Sequence, residues 1–173
     1  MNSKTIPPFP ELIAGTARSA VHLEMRDTYV PQDPGFRRWL ETGNLDHYDF
    51  TKWRRTIGDA VGRGVRFRRA RIVSEPVTDY IRYEHVLTAR NNIAAGEQVR
   101  WLPRRLASDL TLPGNDFWVF DDRLVRFHHF AGDGSIVEDE LRDEPEVIRL
   151  CLTAFEAVWE RAIDHAEYEL SES

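Results

Sequence analysis

Between Val65 and Pro103 the chain reads strand, helix, strand, and its punctuation leaves little freedom. VRFRRARIV has strand character and stops at Ser74-Glu75-Pro76, because a proline disfavours helix at the residue before it. From about Val77 to Ile93 the apolar positions, among them Val77, Tyr80, Ile81 and Leu87, recur at helical spacing, and Gly96 closes the helix. Gln98 to Leu102 is a second strand, ended by Pro103. Two strands joined by a helix are expected to be parallel, with a right-handed crossover.

The rest of the chain is arranged around that unit. A helical turn near Leu106–Leu110 and the turn signal Pro113-Gly114-Asn115 lead to a strand from Asp116 to Phe120. Asp121-Asp122 turns it back as Arg123 to Phe130. Ala131-Gly132-Asp133-Gly134 then turns into Ser135–Leu141, which gives an antiparallel meander. On the N-terminal side, residues 1–10 read as a proline-rich arm, and 11–24 as a short helix through Leu12, Ile13, Ala17, Ala20 and Val21. A second helix carries Phe36, Trp39 and Leu40 and is capped by Gly43. A third starts at Asp49 and carries Phe50, Trp53, Ile57 and Val61. Asp143-Glu144-Pro145 opens a last helix that runs to about Leu170, with Ile148, Cys151, Phe155 and Val158 on its apolar face. The expected fold is α/β, in the α+β sense. It has a mixed sheet with a parallel β-α-β unit followed by an antiparallel meander, N-terminal helices and a long C-terminal helix. One domain spans 1–173, with a helical part over 1–62 and a mixed-sheet core over 63–173.

Composition narrows the function classes. Apolar residues are 42% and charged residues 30% of the 173, enough for one packed core. No apolar run approaches the roughly 18 residues of a spanning helix, and no secretory leader is evident, so the expected location is the cytoplasm with no membrane partner. A single cysteine, Cys151, excludes an internal disulfide and a cysteine-based zinc cage. The cations are nearly all arginine, with Lys4 and Lys52 the only lysines, and arginine is a poor proton donor or Schiff-base former. Charge is segregated: residues 1–62 carry 8 basic and 8 acidic side chains, 63–105 carry 10 and 4, and 106–173 carry 5 and 17. The acidic third weakens direct nucleic-acid binding, despite the cluster Arg37, Arg38, Lys52, Arg54 and Arg55 on the second and third helices.

Strand alternation sets Arg66 and Arg68 on one face and Arg69 and Arg71 on the other. Two readings of these arginines stand open, ion-pair partners for the acidic third and anion contacts by guanidinium forks. Ligands in open α/β sheets favour the crevice beyond the carboxyl ends of parallel strands. That places the expected site on a polar rim built by Arg69, Arg71, Glu75, Asp79, Tyr80, Arg100, Arg104, Asp116, Trp118 and Asp121. A polar rim that only supports the fold is the competing reading. His22-x-Glu24-x-Arg26 is dense in acid–base groups, and in an extended segment these three share a side; they equally suit a buried buttress. His128 and His129 sit on one strand and point to opposite faces, so they do not chelate together. No metal site, cofactor loop or nucleophile elbow is read from the spacing.

AVHLEMRDTY, RFRRARIVSEPVTDYIRYEH, GEQVRWLPR and NDFWVFDD together resemble the actinobacterial proteins grouped as domain of unknown function 6879. That resemblance implies encoding near helix-turn-helix regulators. The β-α-β unit followed by the hairpin DFWVFDD also resembles the non-catalytic, sensor-type version of the phospholipase D-like fold, as a half-domain. The catalytic version carries H-x-K-x(4)-D, and no lysine follows Lys52 here. The expected function is therefore that of a non-catalytic accessory or sensor protein of a helix-turn-helix regulator, binding a protein partner or a small anionic ligand at the rim, with no cofactor. A carboxylate-based, metal-dependent phosphoesterase or nuclease and direct nucleic-acid binding are the alternatives.

Overall fold

The computed structural model describes residues 6–171. Its elements in chain order are α1 (Phe9–Ala14), β1 (Ser19–Glu24), α2 (Pro34–Thr42), α3 (Thr51–Gly62), β2 (Arg66–Val73), α4 (Asp79–Thr88), β3 (Glu97–Pro103), β4 (Phe117–Phe120), β5 (Leu124–Phe130), β6 (Ile136–Arg142), α5 (Pro145–Arg161) and β7 (Ile163–Asp164). The strands form one sheet in the order β6-β5-β4-β1-β2-β3-β7. β1, β2 and β3 run parallel, and β4, β5, β6 and β7 pair antiparallel to their neighbours. The mixed sheet, the β2-α4-β3 unit, the meander and the long C-terminal helix are thus as the sequence leads one to expect.

Local chemistry explains the boundaries. Asp33 caps α2 by accepting from the Phe36 amide at 2.7 Å, and Gly43 ends it with φ 69°. Asp49 accepts from the Thr51 amide at 2.9 Å just before α3. Thr78 caps α4, whose last turn widens into a π-helical turn over Ala89–Ile93. Asp121 and Asp122 adopt φ 52° and 56°, the left-handed pair that a tight hairpin needs.

Two expectations are corrected. Residues 11–24 are not one helix: α1 covers Phe9–Ala14, and Ser19–Glu24 is β1, a central strand of the sheet. Its run Ala20-Val21-His22-Leu23 is buried on both faces, so it lacks the alternation that separates strand from helix. The nominally helical part over 1–62 therefore supplies a core strand. The last helix stops at Arg161 rather than near Leu170, and Ile163–Asp164 turns to pair with Trp101 and Arg100 at the sheet edge. The arm expected over 1–10 is described only from Ile6; its first five residues lie outside the described residues.

The two faces of the sheet differ. On one, Val21, Leu23, Ala70, Ile72, Leu102, Phe117, Val119 and Val125 pack against Ile148, Cys151, Phe155 and Val158 of α5. On the other, two apolar clusters lie apart. Ala20, Phe67 and Phe120 meet Ile13 of α1 and Ile57 and Ala60 of α3. Val73, Val99 and Trp101 meet Val77, Ile81 and Tyr168. The same face of β1, β2 and β3 also carries His22, Glu24, Arg69, Arg71 and Glu97.

Candidate functional site

That polar face is held by a chain of buried ion pairs. Arg69, 5% exposed, donates from Nε to Glu97 Oε2 at 2.9 Å and from Nη1 to Glu24 Oε1 at 2.8 Å. Arg71, 3% exposed, donates to Glu24 and to the Thr88 hydroxyl, and lies 3.2 Å from Glu84. Glu97 also accepts from Trp53 Nε1 at 2.7 Å and Asn92 Nδ2 at 2.8 Å. Burial pushes the Glu24 carboxyl up, but Arg71 and Arg69 overcome it and hold it well below the usual carboxylate range. Glu84 shares Arg71 with Glu24. Burial raises it, Arg71 opposes and Glu24 adds, and it is pushed up to about 7. The alternation read from the sequence explains the geometry, because Arg69 and Arg71 project from one face of β2 while Arg68 projects from the other and forks onto Glu156 of α5.

Next to this network opens a cleft of about 280 Å³ lined by Phe9, His22, Trp53, Arg69, Trp118, Arg126 and His128. Register builds its floor. His22 on β1 is level with Arg69 on β2 and Trp118 on β4, and Trp118 is level with Arg126 on β5. The His22 ring stacks on Trp118 at 4.2 Å, and Arg69 lies over Trp53 and Trp118 at 5.5 and 5.3 Å. His128, level with Asp139 of β6, bonds to it through Nδ1 at 2.5 Å, and Arg126 donates from Nη2 to the same carboxylate. The His22 and His128 rings are 5.7 Å apart. Burial lowers both imidazoles below their ordinary value. Glu24 opposes this at His22 while Arg69 reinforces it, and Asp139 opposes it at His128. Three buried polar atoms of the lining have no hydrogen-bond partner among the described residues: Nε and Nη1 of Arg126 and Nδ1 of His22.

The ten residues expected at one rim fall into separate places. Arg69 and Trp118 line the cleft, and Arg71 sits in the network beneath it. Asp116 accepts from the Met25 amide at 2.9 Å and from the Tyr29 hydroxyl, and burial raises its carboxyl to about 6. Arg104 ties the carboxyl ends of β1 and β2 together through the carbonyls of Met25 and Ile72 and the Ser74 hydroxyl. Glu75 accepts from the Tyr168 hydroxyl at 3.0 Å, and Tyr80 packs between Tyr29, Phe36 and Tyr83. Asp79 is exposed beside Arg82. Arg100 pairs with Asp164 and stacks on Trp159, away from the cleft. Asp121 sits at the opposite end of β1, where it accepts from the amides of Ala17, Arg18 and Ser19. The structure does not converge these ten on one crevice.

Residues outside that rim complete the cleft: Phe9, Trp53, His22, Arg126 and His128, with Asp139 behind. Counting hairpin register back from Asp121-Asp122 was the one signal that could have set Arg126 level with Trp118 and His128 close to them. Among the described residues no three His, Cys, Asp or Glu side chains come together to hold a metal ion. No described helix is long and apolar enough to cross a membrane. Of the basic cluster on α2 and α3, Arg54 donates to the Arg90 carbonyl and both guanidiniums lie 4.8 Å from the Phe50 ring.

Comparison with known proteins fits this architecture. A phospholipase D family member, Nuc from Salmonella typhimurium, superposes with a TM-score of 0.52 at 11% identity, over 90% of this chain and 86% of that one. TrmBL2, an archaeal chromatin protein, gives 0.49 at 14% identity over 89% of this chain and 47% of its own. Phosphatidylserine synthase of Haemophilus influenzae Rd KW20 gives 0.43 at 12% identity, over 92% of this chain and 37% of that one. The first shows a shared phospholipase D-like fold and nothing further. No functionally curated protein matches the chain. The sequence over residues 7–170 matches the family described as "Domain of unknown function (DUF6879)", and the chain belongs to that family.

Proposed function

We propose that the protein is a non-catalytic binding domain whose cleft over the polar sheet face takes a small anionic ligand. One observation carries this reading. Arg126 and His22 line the cleft walled by Phe9, Trp53 and Trp118, and the guanidinium of the one and the imidazole of the other keep buried polar atoms without hydrogen-bond partners among the described residues. A buried donor left unpaired destabilises the fold by about 1–3 kcal/mol, so a ligand with acceptor oxygens relieves a penalty the empty cleft carries. The pattern H-x-K-x(4)-D, set to end at Asp122, falls on Asn115 and Phe117, and Phe117 is buried against α5. This supports binding over phosphodiester chemistry. The role implied by the family resemblance is that of a cytoplasmic sensing partner of a helix-turn-helix regulator.

The test is thermal unfolding against a panel of small oxyanions and metabolites. At about 100 times Kd a ligand adds about 2.7 kcal/mol, which raises Tm by roughly 5–10 °C in a chain of this size. Arg126→Gln, if folded, loses the shift. A panel without any shift, with no regulator recovered from native lysate, rejects the reading. A second reading, phosphoester hydrolysis, rests on the His128–Asp139 contact at 2.5 Å, which orients an imidazole at the cleft. It requires turnover of an aryl phosphate ester that vanishes in His128→Asn.

A further inference from the structure

The charges around the cleft cancel. Three guanidiniums, Arg69 and Arg71 on β2 and Arg126 on β5, are matched by three ion-paired carboxylates, Glu24 on β1, Glu97 on β3 and Asp139 on β6. Two further carboxyls nearby, Glu84 and Asp116, are already held up by burial. α1 and α3 contribute only Phe9 and Trp53 to the lining. An anion entering this space finds donors in Arg126 but no surplus positive charge. Glu84 and Asp116 do not line the space; the titratable groups that do, and that can supply it there, are the imidazoles of His22 and His128, 5.7 Å apart. His22 Nδ1 makes no hydrogen bond among the described residues and lies 3.9 Å from Glu24 Oε1, and Asp139 behind His128 stands ready to stabilise an imidazolium.

We infer that the cleft takes a doubly charged tetrahedral oxyanion, and that its binding draws a proton from solvent onto the His22–His128 pair. This rests on the reading of the cleft as an anion site and adds the ligand's charge and its pH control. Donors approach from β1, β2 and β5, and a tetrahedral group offers acceptors in as many directions, as a planar carboxylate does not. In the empty cleft burial and Arg69 disfavour the imidazolium form of His22, and burial disfavours that of His128 against the pull of Asp139. Two incoming negative charges reverse that balance, so affinity rises as pH falls. The same head group occurs as a free anion and as a phosphate monoester, and the aromatic walls favour an ester that carries a ring.

Sulfate is the probe, because it does not titrate between pH 6 and 8. Its binding to the full chain is measured by calorimetry at constant ionic strength, in two buffers of different ionisation enthalpy. Binding is expected with uptake of about one proton near pH 7, and with affinity falling about tenfold per pH unit from 6 to 8. Uptake should fall in His128→Asn and, separately, in His22→Gln. Two variants are used so that one failure to fold leaves the other informative. Phenyl phosphate and methyl phosphate, compared at pH 8, separate the sources: tighter phenyl phosphate means a ring-bearing ester, and equal affinities mean a free anion. Sulfate bound with no proton uptake overturns this inference and leaves the anion site standing. No sulfate binding at any pH, or binding lost on Arg54→Ala and kept in Arg126→Gln, overturns both.

Discussion

On the α5 side of the sheet, Ala70 and Ile72 of β2 meet Cys151 and Phe155 in a dry apolar layer. One residue along the same strand, Arg69 and Arg71 face the other way into Glu24, Glu97 and Glu84. The first face is held by non-directional burial, which tolerates changes of similar volume. The second is held by charges that each depend on at least one other. Buried ion pairs are weak evidence for stability, since apolar residues of the same volume often do as well. A face that keeps five charged side chains, and beside them buried polar atoms without partners at the edge of a cleft, is the one on which the proposed recognition rests.

Substitutions on the two faces sharpen this contrast. Glu24→Gln nearly keeps the shape but leaves Arg69 and Arg71 without their shared carboxylate, and should destabilise by about 3–5 kcal/mol in urea unfolding. A value under 1 kcal/mol breaks the picture of an interdependent network. Glu84→Gln should show itself through pH. The folded-state carboxyl lies near 7 against an ordinary 4.5, so its contribution is full below about 4.5 and is lost as pH rises through 7. The variant should therefore gain on the wild type by about 1–3 kcal/mol between pH 4.5 and pH 8. Glu24 acts in the opposite sense, because its depressed carboxyl loses stability as pH falls below about 4.5. Ile148→Leu, in the apolar layer, should lose no more than about 1.5 kcal/mol. Arg66→Ala, exposed at the start of β2, should stay within about 0.5 kcal/mol. If the apolar change exceeds the Glu24 change, the contrast between the faces is reversed.

How much was legible depends on where punctuation lies. Pro76, Gly96 and Pro103 made β2-α4-β3 readable, and Asp121-Asp122 made the hairpin readable. β1 was hidden because a strand buried on both faces has no alternation. The end of α5 was hidden because nothing after Arg161 breaks a helix; pairing with Trp101 and Arg100 decides it. In the site, alternation placed Arg69 and Arg71 on one face. Their partners Glu24 and Glu97 come from neighbouring strands, and Arg126 and His128 reach the cleft through register across three antiparallel strands. A linear reading of strand ends gathered Asp121 and Arg104, which the parallel strands hold at opposite ends of the sheet.

The most direct measurement is a crystal of the wild-type protein soaked in selenate, a sulfate analogue located by its anomalous scattering. A peak is expected within hydrogen-bond distance of Arg126 Nε or Nη1 and beside His22. An empty cleft, with selenate only at exposed guanidiniums such as Arg54 and Arg90, contradicts the assignment of this face to anion recognition.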